Sequence, residues 1–317
     1  MKLQAPVSVK WIADFIGATL LGNALQEATG LNEIHKVEAG DVSFVDFAKY
    51  YDKCLQSAAT IIIINKEVPC PEGKTLLICD DPFRAYVQLV KHFRPFEKAL
   101  SAISDTAAIG EGTQLQPGCF VGNHVRIGKN CLIHANVSIY DYTEIGDNVI
   151  IHAGTVIGAD AFYFKRRKER VAQYDKLESC GRVIIEDDVE IGAGCTIDKG
   201  VSGDTIIGLG TKLDNQVHIG HGVVIGKNCL IAAQVGIAGK TILEDEVILW
   251  GQVGVNKDLT IGKGAVVYAQ SGVRSTIAGD KIYFGSPVEE AKEKMKELYW
   301  VKQIPEIWKR LKETKEE

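Results

Sequence analysis

Two of the chain's seven histidines, His218 and His221, lie three apart in the segment LDNQVHIGHGVVIGKN, residues 213–228. That spacing raises two chemistries, a metal pair or a general base. A metal needs at least one more protein ligand, and none is apparent nearby, so no metal is expected. The two residues also take different places around Ile219, one just before it and one two after it. A single imidazole on a rigid support suits proton transfer better, since its ordinary pKa of about 6.5 lets it accept a proton near neutral pH. The first-half histidines His124, His134 and His152 show no motif and read as wall residues. The eight cysteines are scattered, with no C-x-x-C pair, and are expected as buried reduced thiols.

The elements that must hold these residues announce themselves by period. From Ile103 to Ile157 an Ile, Leu or Val falls at every sixth position. The phase returns at Ile185, Ile191 and Ile197, slips by four residues over 201–204, then runs unbroken from Ile207 to Val273. Six residues match neither a helix of 3.6 residues per turn nor simple strand alternation. They match a parallel β-helix, in which each hexad makes one flat side and a turn, and the aliphatic residue points inward to stack on its equivalents. Glycine often follows the aliphatic, as at Gly110, Gly122, Gly128, Gly146 and Gly158. This gives the 32 glycines, against only 8 prolines, a periodic role.

One long interruption, residues 163–182, carries seven Lys/Arg and three Asp/Glu. It reads either as a contact for phosphate or an acidic partner, or as a solvated insertion. Residues 1–100 lack the hexad and read as an α/β domain. Ser8 is placed to cap a first helix, Ile61–Ile64 reads as a buried strand, and Asp81-Pro82 starts another helix. Residues 101–285 hold the repeat. Residues 286–317 read as helices, opened by a Ser286–Glu289 capping box and broken at Pro305. An exposed apolar stripe there implies packing between subunits. The net charge of −5 argues against a nucleic-acid-binding surface. No apolar run is long enough to span a membrane, and the first residues show no secretory h-region, so a cytoplasmic protein is expected.

The segments GRVIIEDDVEIGAGCTIDKG (181–200), DTIIG (204–208) and LDNQVHIGHGVVIG (213–226), in that order of domains, resemble the UDP-3-O-(3-hydroxyacyl)glucosamine N-acyltransferases of lipid A biosynthesis. The resemblance implies a mainly β fold: a left-handed, three-sided parallel β-helix of about eight 18-residue coils, with an N-terminal α/β domain and C-terminal helices. It implies transfer of a 3-hydroxyacyl chain from acyl carrier protein to the 2-amine of a UDP-sugar. No resident cofactor is implied, because the carrier brings the acyl-phosphopantetheine. It also implies a homotrimer with sites between subunits, and a role for Lys302, Lys309, Arg310 and Lys312 in receiving the carrier. His221 matches the family's catalytic histidine. Gly239, one coil on, matches the glycine whose N–H stabilises the oxyanion. Phe44 and Tyr50 match the uracil-stacking positions.

The chain also departs from the family pattern. Phe47 stands where an Asn is usual. Ala161 and Tyr163 replace glycines, so a close ligand approach there is expected to be blocked. Asp258 falls where a second substrate-site histidine is usual, and a carboxylate cannot donate as an imidazolium does. A divergent acceptor or acyl chain follows as an expectation. Two other readings stay open on the residues alone: another hexapeptide transferase, such as one moving acetyl from acetyl-CoA to a nucleotide sugar, and a solenoid that binds sugar nucleotide without turnover.

Overall fold

The computed structural model describes residues 1–167, 171 and 173–313. Residues 168–170 and 172 of the basic interruption, and 314–317, lie outside the described residues.

The repeat forms three parallel sheets that face one another as a prism, two of eight strands and one of ten. This is the parallel β-helix of the hexapeptide type, and the left-handed form expected. Its ladder is in register: Ile127 pairs with Ile109 and Ile145, Ile133 with Leu115 and Ile151, and Ile139 with Val121 and Ile157. The inward aliphatics make one continuous column, with Ile133, Ile139, Ile151, Ile157, Ile197, Ile219 and Ile237 fully buried. Glycine beside the inward aliphatic answers to a close approach. A Cβ on Gly110 would stand 2.4 Å from the carbonyl oxygen of Gly128 in the next coil. The left-handed backbone falls instead three residues after most of the aliphatics, at Asn130, Asn136 and Asn148 for example. Asn tolerates that region better than most residues.

Two irregularities mark where the N-terminal region docks. That region is a six-stranded sheet in the order β1-β3-β4-β5-β6-β2, made of β1 (Lys2–Ser8), β2 (Thr19–Gly22), β3 (Glu27–Leu31), β4 (Asp41–Val45), β5 (Ile61–Ile64) and β6 (Thr75–Ile78). Helices α1 (Val9–Ile16) and α3 (Pro82–Phe93) bury Val9, Ile12, Tyr86 and Leu89 against one face. The short α2 (Tyr51–Leu55) follows β4, and its Cys54 belongs to the core on the other face. Asp81 accepts from the Arg84 N–H with Pro82 in the first turn, as expected, but the Ser8 side chain makes no cap hydrogen bond.

The long interruption is no solvated insertion. It forms a hairpin, Phe164–Arg166 against Tyr174–Lys176, and Ala161, Leu177 and Cys180 join the N-terminal core. Among its described residues several cations meet acids: Arg167 meets Asp81 at 2.9 Å and Asp175 at 3.0 Å, Lys165 meets Asp46, and Lys176 meets Asp160. The four-residue slip is the second dock, with Val201 in the same core and the Ser202 hydroxyl accepting from the Glu33 N–H at 2.8 Å.

The C-terminus corrects two expectations. Glu289–Glu290 is not part of a capping box. It is a strand returning on Ile282–Phe284, so the segment's hydrogen bonds go to a hairpin and the helix starts later. That helix, α4 (Ala291–Glu313), is continuous through Pro305. The proline removes one backbone bond, which an exposed helix can leave to water. Val301, Ile304, Ile307, Trp308 and Leu311 are all exposed along it.

Truncating one inward side chain leaves a void in a column whose neighbours are locked in register. Ile127→Ala is expected to lower unfolding stability by about 2–5 kcal/mol, read from urea melts.

Candidate active site

Register alone brings His221 and Gly239 together. Strand His218–Ile219 pairs with Gly236–Ile237, so the corners that follow the two strands stack. The backbone is closed around them: Lys240 N–H donates to the His221 carbonyl at 2.9 Å, and Asp258 N–H donates to the Gly239 carbonyl at 3.2 Å. A Cβ on Gly239 would lie 2.6 Å from His221 Nε2 and 2.9 Å from its Cδ2. The imidazole therefore rests directly on the glycine backbone.

The Gly239 N–H is also unclaimed. At several comparable corners, two residues after the inward aliphatic, the N–H is taken by a carboxylate or amide of the next coil. Asn123 donates to Asp141, Lys129 to Asp147, Asp147 to Asp187 and Lys227 to Asp245, each near 2.7–2.8 Å. Above Gly239 the equivalent residue is Lys257, which has no acceptor to offer. Among the backbone hydrogen bonds of the described residues, Ala238 and Lys240 donate and Gly239 does not.

This corner opens into a cavity of about 1640 Å³ between the β-helix and the N-terminal sheet. Its lining includes Phe44, Phe47 and Tyr50 from the N-terminal region and Lys257, Asp258 and Arg274 from the β-helix. Phe44 is half-buried, edge-on to Phe83 at 6.0 Å and tilted against Tyr86 at 4.8 Å. Tyr50 and Phe47 are more exposed, at 46% and 54%. Asp258 has the left-handed backbone of a corner, φ 57°. Tyr163 packs edge-on to His221, ring centroids 6.0 Å apart. The bulk expected at 163 thus does stand beside the base, whereas the Ala161 methyl is buried in the N-terminal core and does not line the cavity.

His218 keeps other company. Its Nδ1 lies 2.8 Å from the Thr196 hydroxyl and its Nε2 4.0 Å from Asp198. Asp198, buried beside the cavity, has its carboxyl pushed up to about 6 by desolvation, with His218 opposing and Asp160 adding to the rise. Burial lowers the pKa of His221, so more of it is neutral near pH 7 than for a free imidazole. Among the described residues, no cluster of three or more His, Cys, Asp or Glu is arranged to hold a metal ion.

Above His218 the outward positions of the next three coils are all glycine. Gly236, Gly254 and Gly272 pair in register over three coils, and nothing lies within 4 Å of a Cβ placed on the first two. Gly236 and Gly254 form an open trough beside the His221–Gly239 corner, bounded at Gly272 by the Ser286 side chain, 2.8 Å from a Cβ placed there.

Several cavity residues carried no signal in the sequence. Glu33 and His35 come from the N-terminal region, and only tertiary docking brings them here. Lys240 and Arg274 were findable, since each sits one 18-residue coil from Gly222 and Asn256.

Comparison with known proteins narrows the chemistry. Residues 26–92 match the model of UDP-3-O-(3-hydroxymyristoyl) glucosamine N-acyltransferase, and residues 106–140, 124–159 and 204–239 match the bacterial transferase hexapeptide repeat. UDP-3-O-acylglucosamine N-acyltransferase of Coxiella burnetii is 30% identical over 253 residues, covering 72% of this chain and 73% of that protein. The Anaeromyxobacter protein of the same name is 32% identical, covering 71% and 72%. The chain belongs to the UDP-3-O-acylglucosamine N-acyltransferase family. Among solved structures, UDP-N-acetylglucosamine acyltransferase of Francisella novicida is 26% identical, with a TM-score of 0.55 over 67% of this chain and 78% of that one. The Bacteroides fragilis enzyme gives 27% and 0.54 over 62% and 74%.

The candidate site of this N-acyltransferase is thus an imidazole on a glycine, with no side chain between them. Gly239→Ala should push the His221 ring from its place while leaving the column beneath intact. Its kcat is expected to fall at least about 100-fold, with a thermal midpoint within a few degrees of wild type.

Proposed function

We propose that the protein transfers a 3-hydroxyacyl chain from the phosphopantetheine thioester of acyl carrier protein to the 2-amine of a UDP-3-O-acylglucosamine. The observation that carries this is a half-buried imidazole with a lowered pKa set directly on an unclaimed backbone N–H. A base beside an open amide donor is what amine attack on a thioester requires.

The nitrogen lone pair adds to the thioester carbonyl, and His221 takes the amine proton. The carbonyl oxygen becomes an oxyanion and accepts from Gly239 N–H. Collapse re-forms the carbonyl, breaks the carbon–sulfur bond and expels the thiolate, which takes the proton back from His221. An amide and a free pantetheine thiol result, and the enzyme returns unchanged. No covalent intermediate is needed, so the cysteines stay bystanders; seven of the eight have thiols whose pKa burial raises.

Phe44 and Tyr50 of the N-terminal region are the candidates to stack on uracil, with Phe47 in place of the usual Asn. Lys53 and Arg166, which line the same cavity, suit the diphosphate. Lys257 and Arg274 of the β-helix suit the phosphate of the pantetheine arm. Asp258 lines the cavity with these cations, and its carboxylate cannot donate as an imidazolium would. The exposed apolar stripe of α4 and the flat prism walls support a homotrimer, and Lys302, Lys309, Arg310 and Lys312 lie on that helix to receive an acidic carrier. Among the described residues no helix is long and apolar enough to cross a membrane, consistent with work in the cytoplasm on a carrier-bound donor. The protein requires no cofactor of its own in this reading.

Two assays test it. With acyl carrier protein charged with a 3-hydroxyacyl chain and the UDP-3-O-acylglucosamine acceptor, His221→Ala should lose about 10²–10⁴ in kcat; UDP-sugar binding without turnover in the wild type would overturn the reading. The glycine trough offers room for the chain along its floor. Gly254→Leu should then shift preference toward donors several carbons shorter, measured by competition between chain lengths, and an unchanged preference would remove the trough from the acyl path.

A further inference from the structure

Glu33 and Lys240 join the two halves of the cavity. Glu33 follows β3 on the N-terminal sheet, and Lys240 immediately follows Gly239 on the β-helix. Their ion pair spans 2.9 Å, and both side chains are well shielded, 11% and 21% exposed. Each end is fixed by backbone as well. The Glu33 N–H is held by Ser202 in the four-residue slip, and the Lys240 N–H by the His221 carbonyl. The Lys240 ammonium also lies 5.9 Å from the centre of the Tyr163 ring, whose edge-on partner is His221. An unbroken chain of contacts therefore runs from the N-terminal loop to the base.

We propose that the Glu33–Lys240 pair is the positioning and charge-balancing unit of His221, holding the ring on Gly239 and setting the net charge it meets when it becomes imidazolium. This rests on His221 being the base. Glu33 and Lys240 are positioning residues, since neither touches the reacting atoms.

The physical content is a pair of opposed fields. Next to burial, the largest influences on His221 are Glu33, which favours the imidazolium, then Lys240, which disfavours it, then Asp258 and Lys257 with the same opposition. His35 faces the same groups, with Lys36 added, and Tyr163 completes the surround. Removing the carboxylate must lower the affinity of His221 for a proton, and removing the ammonium must raise it. A pair that served only as a strut would move both variants the same way, through loosening.

The test reads the imidazole directly, so it does not depend on which acyl donor or acceptor is used. His221 is titrated by NMR in full-length protein labelled with carbon-13 histidine, its resonance assigned by its loss in His221→Ala and separated from His35 in a His35→Gln background. Glu33→Gln should lower the midpoint by about half a pH unit or more, and Lys240→Met should raise it by a similar amount. The double variant should return toward wild type. Glu33→Ala and Lys240→Gln repeat the charge changes with different packing, so a shift shared within each pair is electrostatic. The acid limb of kcat/KM should move in the same directions. Midpoints that stay within about 0.2 of wild type, or that move the same way in both single variants, overturn the proposal. Correct shifts without acyl transfer in the wild type would instead refute the assignment of the reaction.

Discussion

The structure depends on one constraint, the registered stacking of successive coils. Parallel strands two residues long make few hydrogen bonds each, so no single side of a coil would hold. What holds is repetition, because every inward Ile, Leu or Val sits on its equivalent in the coils above and below. Stability is then a sum over neighbours along one axis. The same constraint makes the solenoid a ruler. A residue's neighbour is known from its number, 18 positions on, until an insertion resets the count.

Two insertions reset it here, and both are used. The excursion after Ala159 and the slip at 201–204 are where the N-terminal sheet anchors, through Ala161, Leu177, Cys180 and Val201 in its core and Ser202 at the Glu33 N–H. Because a coil cannot absorb extra residues inward, they leave sideways. The active-site coils follow the second reset without interruption from Ile207 to Val273. The docking is irregular and the chemistry sits on the regular part, as a site needing fixed geometry should.

The register also explains how much of the site could be read beforehand. His221 and Gly239 differ by one coil, so once the period was known their proximity followed from numbering. The column of inward aliphatics was legible for the same reason, and so were the start of α3 at Asp81-Pro82 and the buried Ile61–Ile64 strand. Contacts between separately folded parts were not legible. Nothing in the order of residues says that Glu33 meets Lys240, or that the basic hairpin spends Arg167 on Asp81, because those pairs depend on how a sheet settles against a prism. The C-terminal segment failed differently. Of its cap-like residues, 286–288 form the turn of a hairpin and Glu289 enters the strand pairing with Tyr283–Phe284, and a cap motif loses when a ladder competes for the same backbone.

In the proposed mechanism, catalysis uses a corner that lacks a closing hydrogen bond. Several corners close with an Asp or Asn one coil on that accepts the exposed N–H. At Gly239 the coil above supplies Lys257, the coil below supplies His221, and the N–H is left open. Free donors are costly when buried, but this one faces a cavity, so water can satisfy it until an oxyanion takes its place. The stronger partner is then the transition state and not the ground state, which is the condition for rate enhancement. Lys257 follows from the same logic. An acid at 257 would have capped the donor and repelled the oxyanion, whereas a cation leaves the donor free and adds its field in the favourable sense. The site is thus made by omission, one missing side chain at Gly239 and one missing acceptor above it, inside a scaffold whose repetition makes any omission exact in position.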